Sequence, residues 1–372
     1  MTMRILLIDD MPDSVEVLRE ELTKELPGCQ CVIVGFDQAE SSLDSHNPHV
    51  VILDVLQGTG ADTQPTGLNT SKYIWEKKFC PLVFYTAAVD EVGDEAHANH
   101  PFVCVIKKGS NSEKAVLARI QQFAPQINAL EDVGREIRWA MNGALREIAP
   151  RIFERITDES KRGDALTRSA RRRVAASMDY ALSTGDPCLM AWEFYLCPPV
   201  VEHLLTGDII RKRDGDKKDP ASYAVILTPS CDLVKDSTRN PKVVQVLVSQ
   251  CKGPERLLED LNLKNVSKWK ENHTEKVLSL LRQGYSQSCL PLPELPGEFP
   301  PMTADFRALQ LIDLAQIGAS NEEYVRVASV DNPLRELVAW AYMVAAARPG
   351  LPDRDFDAWA KEIIPAASAE AK

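Results

Sequence analysis

Short apolar runs alternate with helical periods over the first third of the chain: RILLID, SVEVLREEL, CVIVGF, VVILDV, LVFYTAA, FVCVIKK and an amphipathic SEKAVLARIQQF. Strands and helices in alternation predict a doubly wound parallel sheet, here five-stranded, with helices on both faces. After Phe123 and Pro125 the pattern becomes helical, with Ile127, Leu130, Ile137, Met141, Ala144, Ile148, Ile152 and Ile156 forming an amphipathic stripe. That stripe reads equally as a homodimerisation helix or as one wall of the next domain's core, and Pro150 is expected to interrupt it.

From about residue 190 the signal turns to strands in GDII, YAVILTPSCDL, KVVQVLVSQC, FRALQLIDLAQI and YVRVASV, with helices in NPLRELVAWAYMVAAARPGLPD and FDAWAKEII. The pattern predicts an α+β domain with a small curved or barrel-like sheet. Residues 254–300 read as an insertion, partly helical and then proline-rich. The expected organisation is an α/β domain over 1–125, a helical connector over 126–185 and an α+β domain over 186–372.

At 372 residues the chain is long enough for two or three cores, and 44% apolar with 26% charged residues describes globular material. A net charge of −11 and a pI near 5.2 disfavour general attraction to nucleic acid or anionic lipid. The most basic segment, Lys161 to Arg173, has no interleaved aromatic residues and no readable helix-turn-helix beside it, so it reads as a solvated helix face and no sequence-specific DNA binding is expected. No run approaches the roughly 18 to 20 apolar residues of a membrane span. Nine scattered cysteines without a leader pattern point to a reducing cytoplasm, and Cys29 with Cys31 lacks the paired CxxC spacing of a zinc site. His46, His49, His97 and His100 stand in polar contexts and read as surface histidines.

The candidate chemistry gathers at the carboxyl ends of the N-terminal strands, where ligands collect in such sheets. The first strand ends in Asp9 and Asp10, the third in Asp54, the fourth in Thr86 and the fifth in Lys107 and Lys108. Three carboxylates on one rim repel one another unless a hard cation such as Mg²⁺ sits among them. A lysine and a threonine hydroxyl would complete the neutralisation of a phosphoryl group arriving at a carboxylate.

The motifs RILLIDD, VVILDV, FYTAA and VIKKGS, in this order and each at a strand end, resemble the receiver domain of two-component response regulators. The resemblance implies Asp9 and Asp10 as the acidic Mg²⁺ site together with Asp54, Asp54 as phosphoacceptor, Thr86 as switch hydroxyl and Lys108 as phosphate-binding lysine, with Lys107 as rival. It also implies a histidine kinase or phosphotransfer protein as partner. Two departures stand out. The stretch VLQGTGADTQPT between Asp54 and Gly67 is longer than the family's loop, and Cys104 or Val105 occupies the place of the switch aromatic.

YAVILTPSCDL, flanked by GDII and by ARPGLP, resembles a motif of poorly characterised bacterial proteins, some associated with antiviral defence. Cys231 as a nucleophile with His203 or His273 as base is one reading of it, and a small buried cysteine beside a turn-capping Asp232 is the other. The function expected from the sequence is a response regulator signalling through a non-DNA-binding output domain. Its alternatives are a phosphate sink that drains a kinase, or a receiver-controlled hydrolase or nuclease.

Overall fold

The computed structural model describes residues 2–58, 64–92, 100–180, 188–235, 237–263, 271–318, 322–347 and 355–363. The chain divides into two compact units, Met1–Leu182 and Ser183–Lys372.

In the first unit, strands β1 (Arg4–Ile8), β2 (Gln30–Val34), β3 (Val50–Leu53), β4 (Leu82–Thr86) and β5 (Val103–Lys107) form one parallel sheet in the order β2-β1-β3-β4-β5. β3 and β4 are buried at every position, which is why they read as unbroken apolar runs. Alternate residues feed two cores. Leu6, Ile8, Val51, Leu53, Leu82 and Phe84 pack against α2 (Ala39–His46) and α3 (Thr66–Lys77), through Leu43 and Ile74. Ile5, Leu7, Val50, Ile52, Val83 and Tyr85 pack against α1 (Glu16–Glu25) and the start of α4, through Leu18, Leu22, Val116 and Ile120. The doubly wound architecture therefore follows from period-2 alternation on strands with two apolar faces.

Helix α4 runs without a break from Ser112 to Arg155, through both Pro125 and Pro150. The sequence led us to expect an interruption at Pro150. A proline removes one intrahelical hydrogen bond, a loss that the packing of the neighbouring turns on α5 (Glu159–Tyr180) through Ala140 and Ala144 helps to offset. α4 turns back into α5, with Ala140 and Ala144 of α4 and Ala165 and Ala170 of α5 buried. The basic run lies on α5, where Arg168, Arg171, Arg172 and Arg173 are exposed and Arg173 pairs with Glu147. Arg162 sits 4.4 Å over the Phe153 ring and donates to the Ile156 carbonyl.

His49 corrects the surface reading of the histidines. Its side chain is buried at the foot of β3, Nδ1 accepts from the Arg4 amide at 3.1 Å, and burial pushes its pKa down to about 4. His100 packs edge-on against Trp75 with ring centroids 4.5 Å apart, and His97 lies outside the described residues.

The second unit carries an antiparallel seven-stranded sheet in the order β10-β11-β9-β8-β7-β12-β6. The strands are β6 (Tyr195–Leu196), β7 (Asp208–Lys212), β8 (Tyr223–Ile226), β9 (Gln245–Lys252), β10 (Cys289–Leu292), β11 (Met302–Asp313) and β12 (Tyr324–Val330). β10 and β6 are its edges, so among the described residues the sheet is open and does not close into a barrel. Short helices α6 (Ser230–Leu233) and α7 (Glu255–Asp260) and longer α8 (Glu271–Gln283), α9 (Leu334–Ala346) and α10 (Phe356–Ile363) accompany it. β10 falls inside the 254–300 stretch and pairs with β11, so the end of that stretch is part of the sheet. One face packs Val225, Leu290, Met302 and Val330 against Val338 and Ala341 of α9. The other packs Ile210, Ala224, Ile226 and Val248 against Leu233.

Gly67 is the closest approach between a helix and the carboxyl rim of the first sheet. A Cβ there would lie 2.1 Å from the Asp54 carbonyl oxygen, and the Gly67 amide already donates to the Val55 carbonyl at 2.9 Å. A methyl group meeting backbone forces α3 off β3. Gly67→Ala is expected to cost the first unit roughly 2–3 kcal/mol, read as a lower urea midpoint, whereas Gly109→Ala, with nothing within 4 Å, should be near neutral. Equal midpoints for the two variants would contradict this packing.

Candidate functional site

The carboxyl ends of β1, β3, β4 and β5 converge because the strands are parallel and in register, with the Asp54 amide bonded to the Ile8 carbonyl and the Lys108 amide to the Thr86 carbonyl. Lys108 Nζ stands 2.6 Å from Asp9 Oδ2 and 2.6 Å from Asp54 Oδ2, and 3.3 Å from Ser14 Oγ. Its position beyond the last residue of β5 lets the side chain lean over the rim, while Lys107, one step earlier, is exposed. Burial alone would lower the Lys108 pKa, but hydrogen bonds and charge attraction from Asp54 and Asp9 outweigh it and raise it.

Each carboxylate is also held by the backbone or a hydroxyl. Asp9 is buried, with Oδ1 accepting from the Met11 amide at 2.8 Å and Oδ2 from Ser14 Oγ at 2.9 Å. Asp54 Oδ1 accepts from the Val55 amide at 2.7 Å, which leaves Oδ2 as the oxygen facing Lys108. Asp10 Oδ2 accepts from the Gly58 amide at 2.5 Å, tying the start of the long loop to the acidic rim. Gln57 and Gln64 close that loop by reciprocal backbone hydrogen bonds, and residues 59–63 lie outside the described residues. Thr86 is fully buried at the adjacent strand end, its hydroxyl accepting from the Ala88 amide at 3.1 Å.

The structure thus brings together Asp9, Asp54 and Lys108, with Asp10 and Thr86 at the same rim and Lys107 turned away. Sequence reasoning missed Ser14, the Gly58 amide and Tyr85, whose ring centroid lies 5.6 Å from Lys108 Nζ and whose hydroxyl meets Ser112 Oγ at 2.7 Å. None of the three has a sequence signal, since each acts through folding onto a strand end. Cys104 faces the core shared with α1 and α4 and Val105 the core shared with α3, so the place of the switch aromatic is filled by small packed residues.

The donor set is oxygen only, which suits Mg²⁺. Among the described residues no three carboxylates are gathered around one point, because Lys108 and the Gly58 amide hold them. An ion held by Asp9, Asp10 and Asp54 would take over oxygens now bonded to these donors.

In the second unit, the small polar groups after β8 are tied into the fold. Thr228 Oγ1 accepts from the Leu247 amide, Ser230 Oγ from the Thr206 amide, and Thr206 Oγ1 donates to the Thr228 carbonyl. Asp208 of GDII is buried against Arg326, whose Nε lies 2.8 Å from Oδ2, and Ser329 Oγ donates to its Oδ1 at 2.7 Å. Gly207 before it takes φ +83°, a conformation open to glycine. Cys231 is exposed, its thiol 3.6 Å from Asp232 Oδ1, and the Lys242 ammonium at 2.8 Å holds the Asp232 carboxyl below its usual range. His203 lines a separate groove of about 840 Å³ with Leu233, Val243, Leu314 and Arg326.

No protein-family model matches the chain, and no curated protein does. Among solved structures, it is similar to a two-component response regulator from Clostridium difficile, at 19% identity over 34% of this chain and 99% of that one, with a TM-score of 0.29. It is also similar to the BeF3-activated N-terminal receiver domain of Klebsiella pneumoniae RstA, at 20% identity over 32% and 96% with a TM-score of 0.27. A third is the N-terminal domain of a response regulator/sensory box/GGDEF protein from Carboxydothermus hydrogenoformans, at 21% identity over 34% and 97% with a TM-score of 0.28. The all-parallel order β2-β1-β3-β4-β5, with acids and a lysine at its carboxyl rim, gives the N-terminal third of this chain the receiver fold, and it is this third that resembles the solved response regulators.

Proposed function

We propose that the first unit is a phosphoacceptor that takes a phosphoryl group on Asp54 from a partner histidine kinase or phosphotransfer protein. The observation that carries this reading is the Lys108 ammonium placed 2.6 Å from both Asp9 and Asp54. An Asp54 oxygen attacks phosphorus, the P–O bond to the carboxylate forms, and the bond to the donor nitrogen breaks with the electron pair leaving on the donor. Lys108 moves from carboxylate neutralisation to the new phosphoryl oxygens, and the Val55 amide holds the other Asp54 oxygen. Mg²⁺, held by Asp9, Asp10 and Asp54, would supply the remaining charge neutralisation. Thr86, beside Lys108 on the rim, supplies a hydroxyl for the modified group once it leaves the Ala88 amide.

The state of this site is passed on through α4, whose first turns share a core with β1, β3 and β4 and whose later turns pack on α5. The second unit is the output, and we read the chain as non-DNA-binding in view of its net charge of −11 and the solvated basic face of α5 in the first unit. We read that output as part of a phosphorylation-gated bacterial defence response, a reading supported by the resemblance of its TPSCDL segment to proteins of which some are associated with defence, and the scattered cysteines favour a cytoplasmic setting.

Asp54→Asn is expected to abolish acid-stable, base-labile labelling by acetyl phosphate while the far-ultraviolet spectrum stays unchanged. Labelling at the wild-type rate would place the acceptor elsewhere. A second outcome tests the ammonium bridge directly. Without Lys108 two carboxylates face each other at a partly buried rim, so Lys108→Ala should cost about 1–3 kcal/mol in metal-free urea titrations, with part of the loss recovered on adding Mg²⁺. Lys107→Ala, at an exposed position, should stay within about 0.5 kcal/mol of wild type. A larger loss at Lys107 would reverse the two roles.

A further inference from the structure

The first sheet holds a pair of thiols that the phosphoacceptor chemistry does not use. Cys29 Sγ and Cys31 Sγ lie 3.4 Å apart, on the same side of the chain because one residue separates them at the start of a strand. β2 is an edge strand, and both cysteines are half-buried, so small oxidants reach them although α1 lies over them. Among the described residues no third or fourth ligand joins them, so they are not half of a metal site.

We propose that Cys29 and Cys31 form a reversible intramolecular disulfide when the protein meets a hydroperoxide. Cys29 is the attacking sulfur. Either thiol can donate across this 3.4 Å contact, and with Cys31 as donor its proton is shared with the Cys29 sulfur and favours the Cys29 thiolate. The thiolate attacks the peroxide, forming an S–O bond as the O–O bond breaks and the alcohol or water leaves with the proton. Cys31 then attacks the resulting sulfenic acid, the S–S bond forms, the S–O bond breaks, and hydroxide leaves as water with the Cys31 proton. Each sulfur loses one electron and the peroxide gains two, so two thiols and a hydroperoxide yield one disulfide, one alcohol and one water.

Nearby charge assists the resolving step. The Arg19 guanidinium on α1 offsets part of the upward push that Cys29 and burial place on the Cys31 thiol. Cα atoms two residues apart in extended chain are spaced about 6.5–7 Å, near the upper limit for a disulfide. The product is therefore readily reduced, which suits a reversible modification better than a structural bond. Of the other cysteines, Cys80, Cys251 and Cys289 are buried, and Cys231 is exposed beside a carboxylate.

The test uses the full chain. Hydrogen peroxide is added in small excess, free thiols are alkylated, and tryptic peptide 25–72, which contains these two cysteines and no other, is weighed. The proposal predicts a peptide lighter by two hydrogen masses and free of alkyl groups, restored to two alkylated thiols by dithiothreitol. Cys31→Ser should leave a Cys29 sulfenic acid that dimedone traps, and Cys29→Ser should remove the early oxidation of this peptide. Acetyl phosphate labelling of both serine variants at the wild-type level checks that they fold. Two fully alkylated thiols in peptide 25–72, at a dose that already blocks alkylation of Cys231, would overturn the proposal. So would a Cys29 sulfenic acid that persists in the wild-type protein.

Discussion

Concentrated negative charge at the end of a parallel sheet is the constraint on which the first unit turns. Parallel strands deliver their last residues to one rim, and here that rim receives Asp9, Asp10 and Asp54. Such a cluster is tolerable only when cations and donors meet it, and Lys108, reaching over from β5, bonds two of the three carboxylates at once. If Asp54 takes the phosphoryl group as proposed, the same ammonium group stands ready to follow charge from carboxylate to phosphoryl oxygen. Because Lys108 ties Asp9 to Asp54, a change at either carboxylate is felt by β1, β3 and β5 together.

From that rim the molecule offers a short mechanical route to the rest of its first unit. α4 begins beside β5 with Ser112 bonded to Tyr85, and Tyr85 lies under the Lys108 ammonium. The helix is continuous to Arg155, so its later turns, which carry exposed Leu130, Val133 and Ile137, move with its first ones. At its middle, Glu131 reaches the Arg4 guanidinium and lies 3.3 Å from buried His49, anchoring α4 to the amino end of the sheet. The helix is thus gripped at both rims of the same sheet.

The first unit was legible in the sequence because its signals are local. RILLI, VVIL and LVFYT are buried on both faces and therefore show as unbroken apolar runs, and the acids and lysine follow directly on strand ends. What escaped depends on contacts between distant residues. His49 follows a proline and an asparagine, yet its place one residue before a buried strand draws it under Arg4 and Glu131. The open edges of the second sheet depend on which strands pair across long intervals, and β10 was hidden in a proline-rich stretch. TPSCD shows in the sequence as a cluster of small polar groups, and in the fold Thr228 and Ser230 satisfy backbone amides of Leu247 and Thr206. Short polar side chains serve chemistry or the backbone, and only their partners tell the two apart.

Which carboxylate becomes phosphorylated is the decisive question for the first unit. Reduction of the acyl phosphate with borohydride, followed by peptide mapping, marks the acceptor because an aspartyl phosphate becomes homoserine. After incubation with acetyl phosphate and Mg²⁺, homoserine is expected at position 54 alone. Homoserine at position 9 or 10, or unmodified aspartate at all three after stoichiometric phosphoryl uptake, would contradict it.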